Sequence, residues 1–214
     1  MQVVFIGGWG FTETHYQPFL SGLKESLGSE WHIQENMSCV SFPCKWESTL
    51  PFSFIGIGHS LGVASLLKNH TKNLKALINI SGFPCFVKTP EQPYGIAPKI
   101  LRAMQQKFET HPEHVLQDFY KNCGVADVPL PDAKHYPSFA ESLEMLCDTT
   151  FFTPPPCPTL SLHSIEDTIV SIANTKHFGT ETIVYEGASH ALPLTHTAQL
   201  IQDIVAFLMR QSCR

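Results

Sequence analysis

The sequence predicts an α/β protein whose mainly parallel sheet is flanked by helices, with a helical insertion over one edge. Two observations support this: short apolar segments alternate with stretches of helical length, and the alternation is interrupted once, between Gly82 and Pro158. Parallel strands are buried on both faces, so they occur as short apolar runs. Six segments, the second of them weak, fit that description: residues 3–6, 31–34, 52–57, 74–80, 159–163 and 182–185.

The interruption predicts a lid. With 214 residues, of which 43% are hydrophobic, the chain is long enough for one domain that carries an insertion. We predict that residues 1–82 and 158–214 form the α/β core and that residues 83–157 form a helical lid, because prolines are concentrated at both ends of the insertion. Helix-like segments within it lie at residues 99–108, 112–122 and 138–146.

The C-terminal segment predicts a helix that packs on the sheet. Apolar side chains are spaced there by 4, 3, 4 and 3 residues, which places them on one helix face. These are Leu194, Ala198, Ile201, Val205 and Leu208.

Composition argues against several classes of protein. A formal net charge of −5 does not favour a broad nucleic-acid-binding surface. The seven cysteines match no disulfide or zinc pattern, which favours reduced thiols in the cytoplasm. The sequence enters an apolar strand at once, and no apolar run approaches 18 residues, so we expect neither export nor a membrane partner. There is no dinucleotide-binding or Walker glycine pattern, so no cofactor or metal is expected.

One pentapeptide predicts a catalytic nucleophile. Gly58-His59-Ser60-Leu61-Gly62 follows an apolar strand and precedes a helix-like stretch. A G-x-S-x-G sequence in that context is typical of the nucleophile elbow, a tight turn that exposes the serine hydroxyl above the sheet. Ser60 is therefore the predicted nucleophile, and His59 is expected to be a packed residue at the end of the strand.

A serine nucleophile needs a histidine base, oriented by a carboxylate that precedes it in the chain. His190 lies in a loop between the last strand and the C-terminal helix, and Asp167 follows the preceding strand. We predict that they are the base and the acid. His163 is a rival base and Glu166 a rival acid, whereas His196 is expected to be a surface or capping residue.

The loop after the first strand predicts an oxyanion hole. Gly7-Gly8-Trp9-Gly10 stands where one backbone donor is expected, and the residue after the nucleophile supplies the other. The predicted donors are the amides of Trp9 and Leu61. A plain glycine turn is the alternative.

Together these segments resemble the α/β-hydrolase superfamily over essentially the whole chain. More narrowly, the Gly-Trp-Gly loop and the lid segment 112–124 resemble carboxylesterases that hydrolyse pimeloyl-[acyl-carrier protein] methyl ester in biotin synthesis. The resemblance implies the α/β-hydrolase fold, a serine carboxylesterase, and an acyl-carrier protein as the partner that bears the substrate. It also implies a triad of Ser60, Asp167 and His190, and oxyanion amides at Trp9 and Leu61.

The lid contains candidate substrate and partner contacts. Lys99 and Arg102 share one helix face and can attract an acidic carrier protein, although such a pair is also typical of a solvated face. Phe119 and Tyr120 are expected either to line an acyl channel or to form lid core. Three other functions stay open: a generic short-chain esterase, a thioesterase with the same machinery, and a non-catalytic ligand-binding protein of the same fold.

Overall fold

Six parallel strands form one sheet in the structure, a computed structural model that describes residues 2–35, 52–69, 71–148, 150, 152–153, 155–175 and 178–212. Its order within these residues is β2-β1-β3-β4-β5-β6, and every neighbouring pair is parallel. The predicted parallel sheet is therefore confirmed. The strands are Gln2–Ile6 (β1), His32–Glu35 (β2), Phe54–His59 (β3), Leu74–Ile80 (β4), Thr159–Ser164 (β5) and Glu181–Tyr185 (β6).

Helices follow most of the strands and cover both faces of the sheet. Because side chains alternate along a strand, Val3 and Phe5 of β1 belong to one apolar cluster, whereas Val4 and Ile6 belong to another. The helices are Glu13–Leu27 (α1), Leu61–Asn69 (α2), Pro98–Thr110 (α3), Pro112–Asn122 (α4), Tyr136–Leu146 (α5), Leu192–Thr195 (α6) and Thr197–Ser212 (α7). Helices α1 and α7 pack on the first cluster, and α2 packs on the second.

The C-terminal helix differs in detail from its prediction. The chain breaks at His196, so Leu194 belongs to the short α6 and not to α7. Ala198 is exposed, which makes the predicted buried face partly wrong. The larger side chains offer more apolar area to bury, and the face that packs on α1 and the sheet consists of Leu200, Ile201, Ile204, Phe207 and Leu208.

The three helices of the interruption lie between β4 and β5. Helix α3 packs against α4 and α5 around a third apolar cluster, which includes Leu101, Phe108, Phe139 and Leu143 and extends to Trp9 and Leu61. The division into a core at residues 1–82 and 158–214 and a lid at 83–157 stays a prediction. Among the described helices, none combines the length and the apolar character needed to cross a bilayer.

The order of the strands creates a crevice at the carboxyl ends of β1 and β3. β1 lies between β2 and β3, so the helices that follow β1 and β3 leave towards opposite faces of the sheet. Ligands of open α/β sheets bind at the carboxyl ends of the strands beside such a switch point. The glycine loop after β1 and Ser60 after β3 both lie at this edge.

Candidate active site

Ser60 occupies a turn of a single residue. Strand β3 ends at His59 and α2 begins at Leu61, and Ser60 between them has φ 54°. The left-handed region is unfavourable for a serine, so the surrounding structure has to hold it there. Two backbone hydrogen bonds do so: the Ser60 N–H donates to the Ile80 carbonyl (2.8 Å), and the Ser60 carbonyl accepts the Val63 N–H (3.1 Å).

The two glycines of the pentapeptide permit this tight turn. A Cβ at Gly62 would lie 2.1 Å from the carbonyl oxygen of Ile6, and a Cβ at Gly58 would lie 2.7 Å from the backbone nitrogen of Val63. Backbone atoms cannot move away as the end of a flexible side chain can. Glycine at both positions therefore lets the start of α2 lie directly against β1 and β3.

His190 and Asp167 meet Ser60 in one chain of hydrogen bonds. The His190 Nε2 lies 2.9 Å from the Ser60 Oγ, and the His190 Nδ1 lies 2.8 Å from the Asp167 Oδ2. Because a carboxylate only accepts, Nδ1 has the proton and donates it, which leaves the Nε2 lone pair to accept the Ser60 hydroxyl. In this arrangement the serine can lose its proton to His190 as it attacks an electrophile.

The Asp167 carboxylate is held in its ionised form. Its Oδ1 accepts the N–H groups of Ile169 and Val170, both at 2.8 Å. Burial alone would raise the pKa of Asp167, but the neighbouring His190 and these hydrogen bonds outweigh it, so the pKa is lowered from its ordinary value.

The structure does not bring the rival residues to Ser60. His163 is buried at the end of β5, where its Nε2 lies 3.4 Å from the Asn79 amide. His196 instead contacts the neighbouring Thr195 hydroxyl. Glu166 is exposed, and its carboxylate accepts the Gly187 N–H (3.1 Å). The catalytic roles of Ser60, Asp167 and His190 remain a proposal, which is argued below.

The glycine loop lies directly against the elbow. A Cβ at Gly8 would be 3.1 Å from the Ser60 Cβ and 2.9 Å from the His59 Nδ1. The N–H groups of Trp9 and Leu61 have no acceptor among the residues the structure describes. Two unpaired donors on either side of a nucleophile are what an oxyanion hole requires, and this role stays a prediction.

The Trp9 side chain contacts all three helices of the insertion. Its ring lies 5.7 Å from that of Phe108 in α3, 4.8 Å from Phe119 in α4 and 6.0 Å from Phe139 in α5. The indole N–H donates to the Phe139 carbonyl (2.8 Å). The loop that presents the Trp9 amide is thus packed into the insertion.

An apolar cavity of about 400 Å³ lies beside Trp9, between α3 and α4. Phe119, one of the predicted contacts, lines this cavity. Its ring centroid lies 6.5 Å from that of His190, the candidate base. The polar edge of the cavity includes Lys107 and Asp118, which form an exposed ion pair at 3.1 Å. The cavity has the size and lining of a site for a small apolar group.

The other predicted lid contacts lie outside this cavity. Tyr120 is buried, and its hydroxyl donates to the Gly10 carbonyl (2.5 Å), so it supports the glycine loop and does not face the cavity. Lys99 and Arg102 are exposed on α3 but do not line the cavity. Lys107 is the positively charged residue that lines the cavity.

Two further observations limit where a ligand can bind. A larger groove of about 700 Å³ lies between α1 and residues 128–135. Ser60, Asp167 and His190 line neither this groove nor the apolar cavity, but the cavity is lined by Trp9 of the glycine loop and the groove is not. Among the described side chains, no three His, Cys, Asp or Glu residues group as ligands for a metal ion.

Solved structures share this architecture along nearly the whole chain. An esterase (EaEST) from Exiguobacterium antarcticum superposes with a TM-score of 0.74 at 14% identity, covering 98% of this chain and 92% of its own. The enol-lactonase from Burkholderia xenovorans LB400 gives 0.73 at 13% identity, covering 97% and 91%. The chain has the α/β-hydrolase fold.

The chain is also similar in sequence to a protein of biotin synthesis. The biotin biosynthesis bifunctional protein BioHC of Cellvibrio japonicus (strain Ueda107) is 24% identical over 96% of this chain and 47% of its own length. The chain thus spans about half the length of that relative. BioG from Haemophilus influenzae superposes with a TM-score of 0.56 at 15% identity, covering 88% of each chain. No protein-family model matches the chain.

Two buried residues beside the candidate site, Tyr16 and His59, were not predicted to be partners. The Tyr16 hydroxyl lies 2.7 Å from the His59 Nδ1, and the His59 Nε2 lies 3.1 Å from the His190 carbonyl oxygen. His59 is packed at the end of the strand, as expected, but it also touches the loop of the candidate base. A polar ring within an apolar strand was the available signal, since a buried imidazole requires partners.

The protein is expected to lose stability below pH 6.5, before most of its carboxylates titrate. Burial lowers the pKa of His59 to about 3 and that of His163 to about 4, from 6.5 in the unfolded chain. The unfolded chain then binds protons that the folded chain does not, so stability falls as the pH falls. At pH 5 each histidine should remove about 2 kcal/mol from the free energy of unfolding, as measured by urea titration at pH 7 and pH 5.

Variants at a buried and at an exposed histidine test this assignment. His163→Gln should show a smaller loss of stability between pH 7 and pH 5 than the parent chain. His111→Gln, at an exposed position beside α4, should lose as much as the parent. Equal acid sensitivity of His163→Gln and the parent would contradict the prediction.

Proposed function

We propose that this chain is a serine carboxylesterase that hydrolyses an acyl methyl ester, and that its cellular substrate is pimeloyl-[acyl-carrier protein] methyl ester in biotin synthesis. The unbroken chain of hydrogen bonds from Asp167 through His190 to Ser60 is the observation that supports the reaction class. The coarser statement, an esterase or related hydrolase, is also supported by the structural neighbours.

In the proposed reaction the Ser60 Oγ attacks the ester carbonyl carbon while its proton passes to the His190 Nε2. The amides of Trp9 and Leu61 donate to the oxygen that becomes negatively charged. Collapse of this tetrahedral species breaks the bond to the alcohol, which leaves with the proton from His190. Water then attacks the acyl-enzyme by the same route, and Ser60 regains its proton as the acid is released.

The substrate proposal has two supports. The similarity to BioHC covers nearly the whole of this chain, and BioG is among the structural neighbours. The cavity between α3 and α4 is apolar, as an aliphatic acyl chain requires. Ser60 does not line it, but Trp9, whose amide is a proposed oxyanion donor, and Phe119, whose ring lies 6.5 Å from that of His190, both do. The cytoplasmic location is part of the proposal and rests on the sequence alone.

A generic short-chain esterase is the second candidate. The esterase from Exiguobacterium antarcticum, which superposes with a higher TM-score than BioG, favours it. A thioesterase would use the same chain of hydrogen bonds, because the nucleophile and the base do not depend on the leaving atom.

Complementation distinguishes these candidates. The gene should restore growth without biotin to a strain that lacks its own pimeloyl-methyl-ester esterase, and the Ser60→Ala gene should not. Purified protein should in parallel hydrolyse p-nitrophenyl esters and react with a fluorophosphonate probe. Hydrolysis without complementation would support the generic esterase, whereas absence of both hydrolysis and labelling would contradict the esterase proposal as a whole.

Charge reversal on α3 tests the carrier-protein partner. The double variant Lys99→Glu and Arg102→Glu should lower kcat/KM for a carrier-protein ester about 3- to 10-fold at low salt, because an acidic partner is then repelled from the lid. The loss should shrink at 0.5 M salt, where charges are screened over a few ångströms. The kcat/KM for a small ester should be unchanged in steady-state assays.

A matched pair of lysines provides the control. Lys72 and Lys75 are also three residues apart and exposed, but they lie at the amino end of β4, on the edge of the sheet opposite to Ser60. Replacing both lysines by glutamate changes the net charge as much as the Lys99 and Arg102 double variant does. The kcat/KM should then be unchanged for both the carrier-protein ester and the small ester. If the two double variants behave alike towards the carrier-protein ester, Lys99 and Arg102 are a solvated face.

A further inference from the structure

Two buried side chains outside the proposed triad, Tyr16 and His59, join the loops that present it. Both are fully buried. The Tyr16 hydroxyl accepts the Gly8 N–H (2.8 Å) and lies 2.7 Å from the His59 Nδ1. The His59 Nε2 lies 3.1 Å from the carbonyl oxygen of His190, which also accepts the Leu192 N–H. The glycine loop, the elbow and the loop of the base are thus connected through side chains of α1 and β3.

The partners fix the position of every proton in this connection. A carbonyl oxygen only accepts, so the His59 Nε2 must have a proton and donate it to His190. A neutral imidazole then has a lone pair on Nδ1, which accepts the Tyr16 hydroxyl. The Tyr16 oxygen in turn accepts the Gly8 N–H. Each hydrogen bond from His59 to the His190 carbonyl, from Tyr16 to His59 and from Gly8 to Tyr16 therefore has one donor and one acceptor. A buried polar network stabilises one geometry when its groups are all paired in this way.

Charge gives a second reason for a neutral His59. Its ring centroid lies 5.1 Å from that of His190, which gains a proton in the proposed reaction. A second cation at this distance in a buried site would oppose that step. Burial and the neighbouring His190 lower the pKa of His59 to about 3, so the ring stays neutral at ordinary assay pH.

We propose that Tyr16 and His59 are positioning residues for this reaction, which hold the glycine loop and the backbone of His190 at a fixed separation. The inference rests on the proposed function. Neither side chain lines the cavity beside Trp9, so they act through the donor loop and the base and not through contact with the acyl group. Their loss should therefore lower kcat and leave KM nearly unchanged.

Tyr16→Phe tests this with the smallest change, since it removes one hydroxyl and keeps the ring. For a short p-nitrophenyl ester we expect kcat to fall about 10- to 100-fold, the range produced by small misplacements of reacting groups, with KM within about twofold. Tyr185→Phe is the matched control, because its hydroxyl donates to Asp203 (2.6 Å) and joins β6 to α7. The control should melt at a lower temperature with unchanged kcat. A Tyr16→Phe variant that behaves like the control would overturn the proposal.

Two substitutions at His59 test its hydrogen bond to Tyr16 and its hydrogen bond to the His190 carbonyl separately. Asparagine places an amide oxygen near the position of Nδ1 and keeps an acceptor for Tyr16, whereas glutamine places an amide N–H near Nε2 and keeps a donor for His190. Each should retain more kcat than His59→Ala. Tyr16→Phe and His59→Gln remove the same hydrogen bond, so the double variant should be no worse than the poorer single variant. If the loss of kcat in the double variant equalled the product of the two single losses, Tyr16 and His59 would act independently, and the proposed connection would be contradicted.

A measurement independent of turnover separates this inference from the proposed function. If the parent chain hydrolyses no ester, the proposed function fails, and the connection is judged by ¹⁵N NMR of the histidines. His59 should have its proton on Nε2 and should not titrate between about pH 5 and pH 8, where an ordinary histidine does. A proton on Nδ1, or titration near the ordinary value, would overturn the inference whatever the activity.

Discussion

Replacement of Ser60 by alanine is expected to lower kcat/KM for short p-nitrophenyl esters by at least about 10³-fold, because no acyl-enzyme can form without the hydroxyl. The fold should survive. Ser60 makes its turn through backbone hydrogen bonds to Ile80 and Val63, and alanine keeps both. Steady-state kinetics and a melting curve together check the prediction, and labelling by the fluorophosphonate probe should disappear.

Ser81 offers a closely matched control. It directly follows the neighbouring strand β4, is buried, and has φ 50°, so its backbone lies in the same left-handed region as that of Ser60. Its hydroxyl is not bonded to any of the described residues. Ser81→Ala should therefore keep nearly full activity. If Ser60→Ala retained more than about a tenth of the parental rate, the nucleophile would lie elsewhere.

The second large effect is expected at His190. His190→Ala should reduce kcat about as much as the serine change, because residues that act as a unit lose most of their effect when one member is removed. His163→Gln and His196→Ala should each stay within a few-fold of the parent in the same assay. The partner of the Ser60 hydroxyl is His190, whereas the His163 Nε2 contacts the Asn79 amide and His196 contacts Thr195.

Asp167→Asn should also be strongly inactivating. An amide cannot hold the His190 tautomer that a carboxylate holds, and this change costs about 10⁴-fold in serine proteases. Glu166 cannot replace it from its observed position, because its carboxylate bonds the Gly187 amide and lies exposed. An active His190→Ala variant together with an inactive His163→Gln variant would assign the base to His163 instead.

The sheet, and the positions of the three candidate catalytic residues at its edge, could be predicted from sequence because their signals are local. Each strand is a short apolar run, and the elbow is five consecutive residues between a strand and a helix. Residues at the carboxyl ends of parallel strands must meet at one edge, so Asp167 and His190 follow from the order of the elements.

Contacts between distant elements left no such signal. Tyr16 and His59 are 43 positions apart, and His59 and His190 are 131 apart, so nothing in the local pattern pairs them. The same reason explains why the buried face of α7 was partly wrong, since the helix turns to bury Leu200 and Phe207 in preference to Ala198. The apolar ring of Tyr120 fits either an acyl channel or lid core, and nothing in the sequence indicates that its hydroxyl reaches Gly10.

The packing of Trp9 determines how this protein can be re-engineered. Its ring is enclosed by Phe108, Phe119 and Phe139, and its indole N–H bonds one of them. The insertion is therefore not an exchangeable cassette. A chimaera that received the corresponding segment of a relative would need an acceptor for this N–H, since an unpaired buried donor costs about 1–3 kcal/mol. Selectivity is better altered by substitutions along the cavity wall of α3, which leave the tryptophan pocket intact.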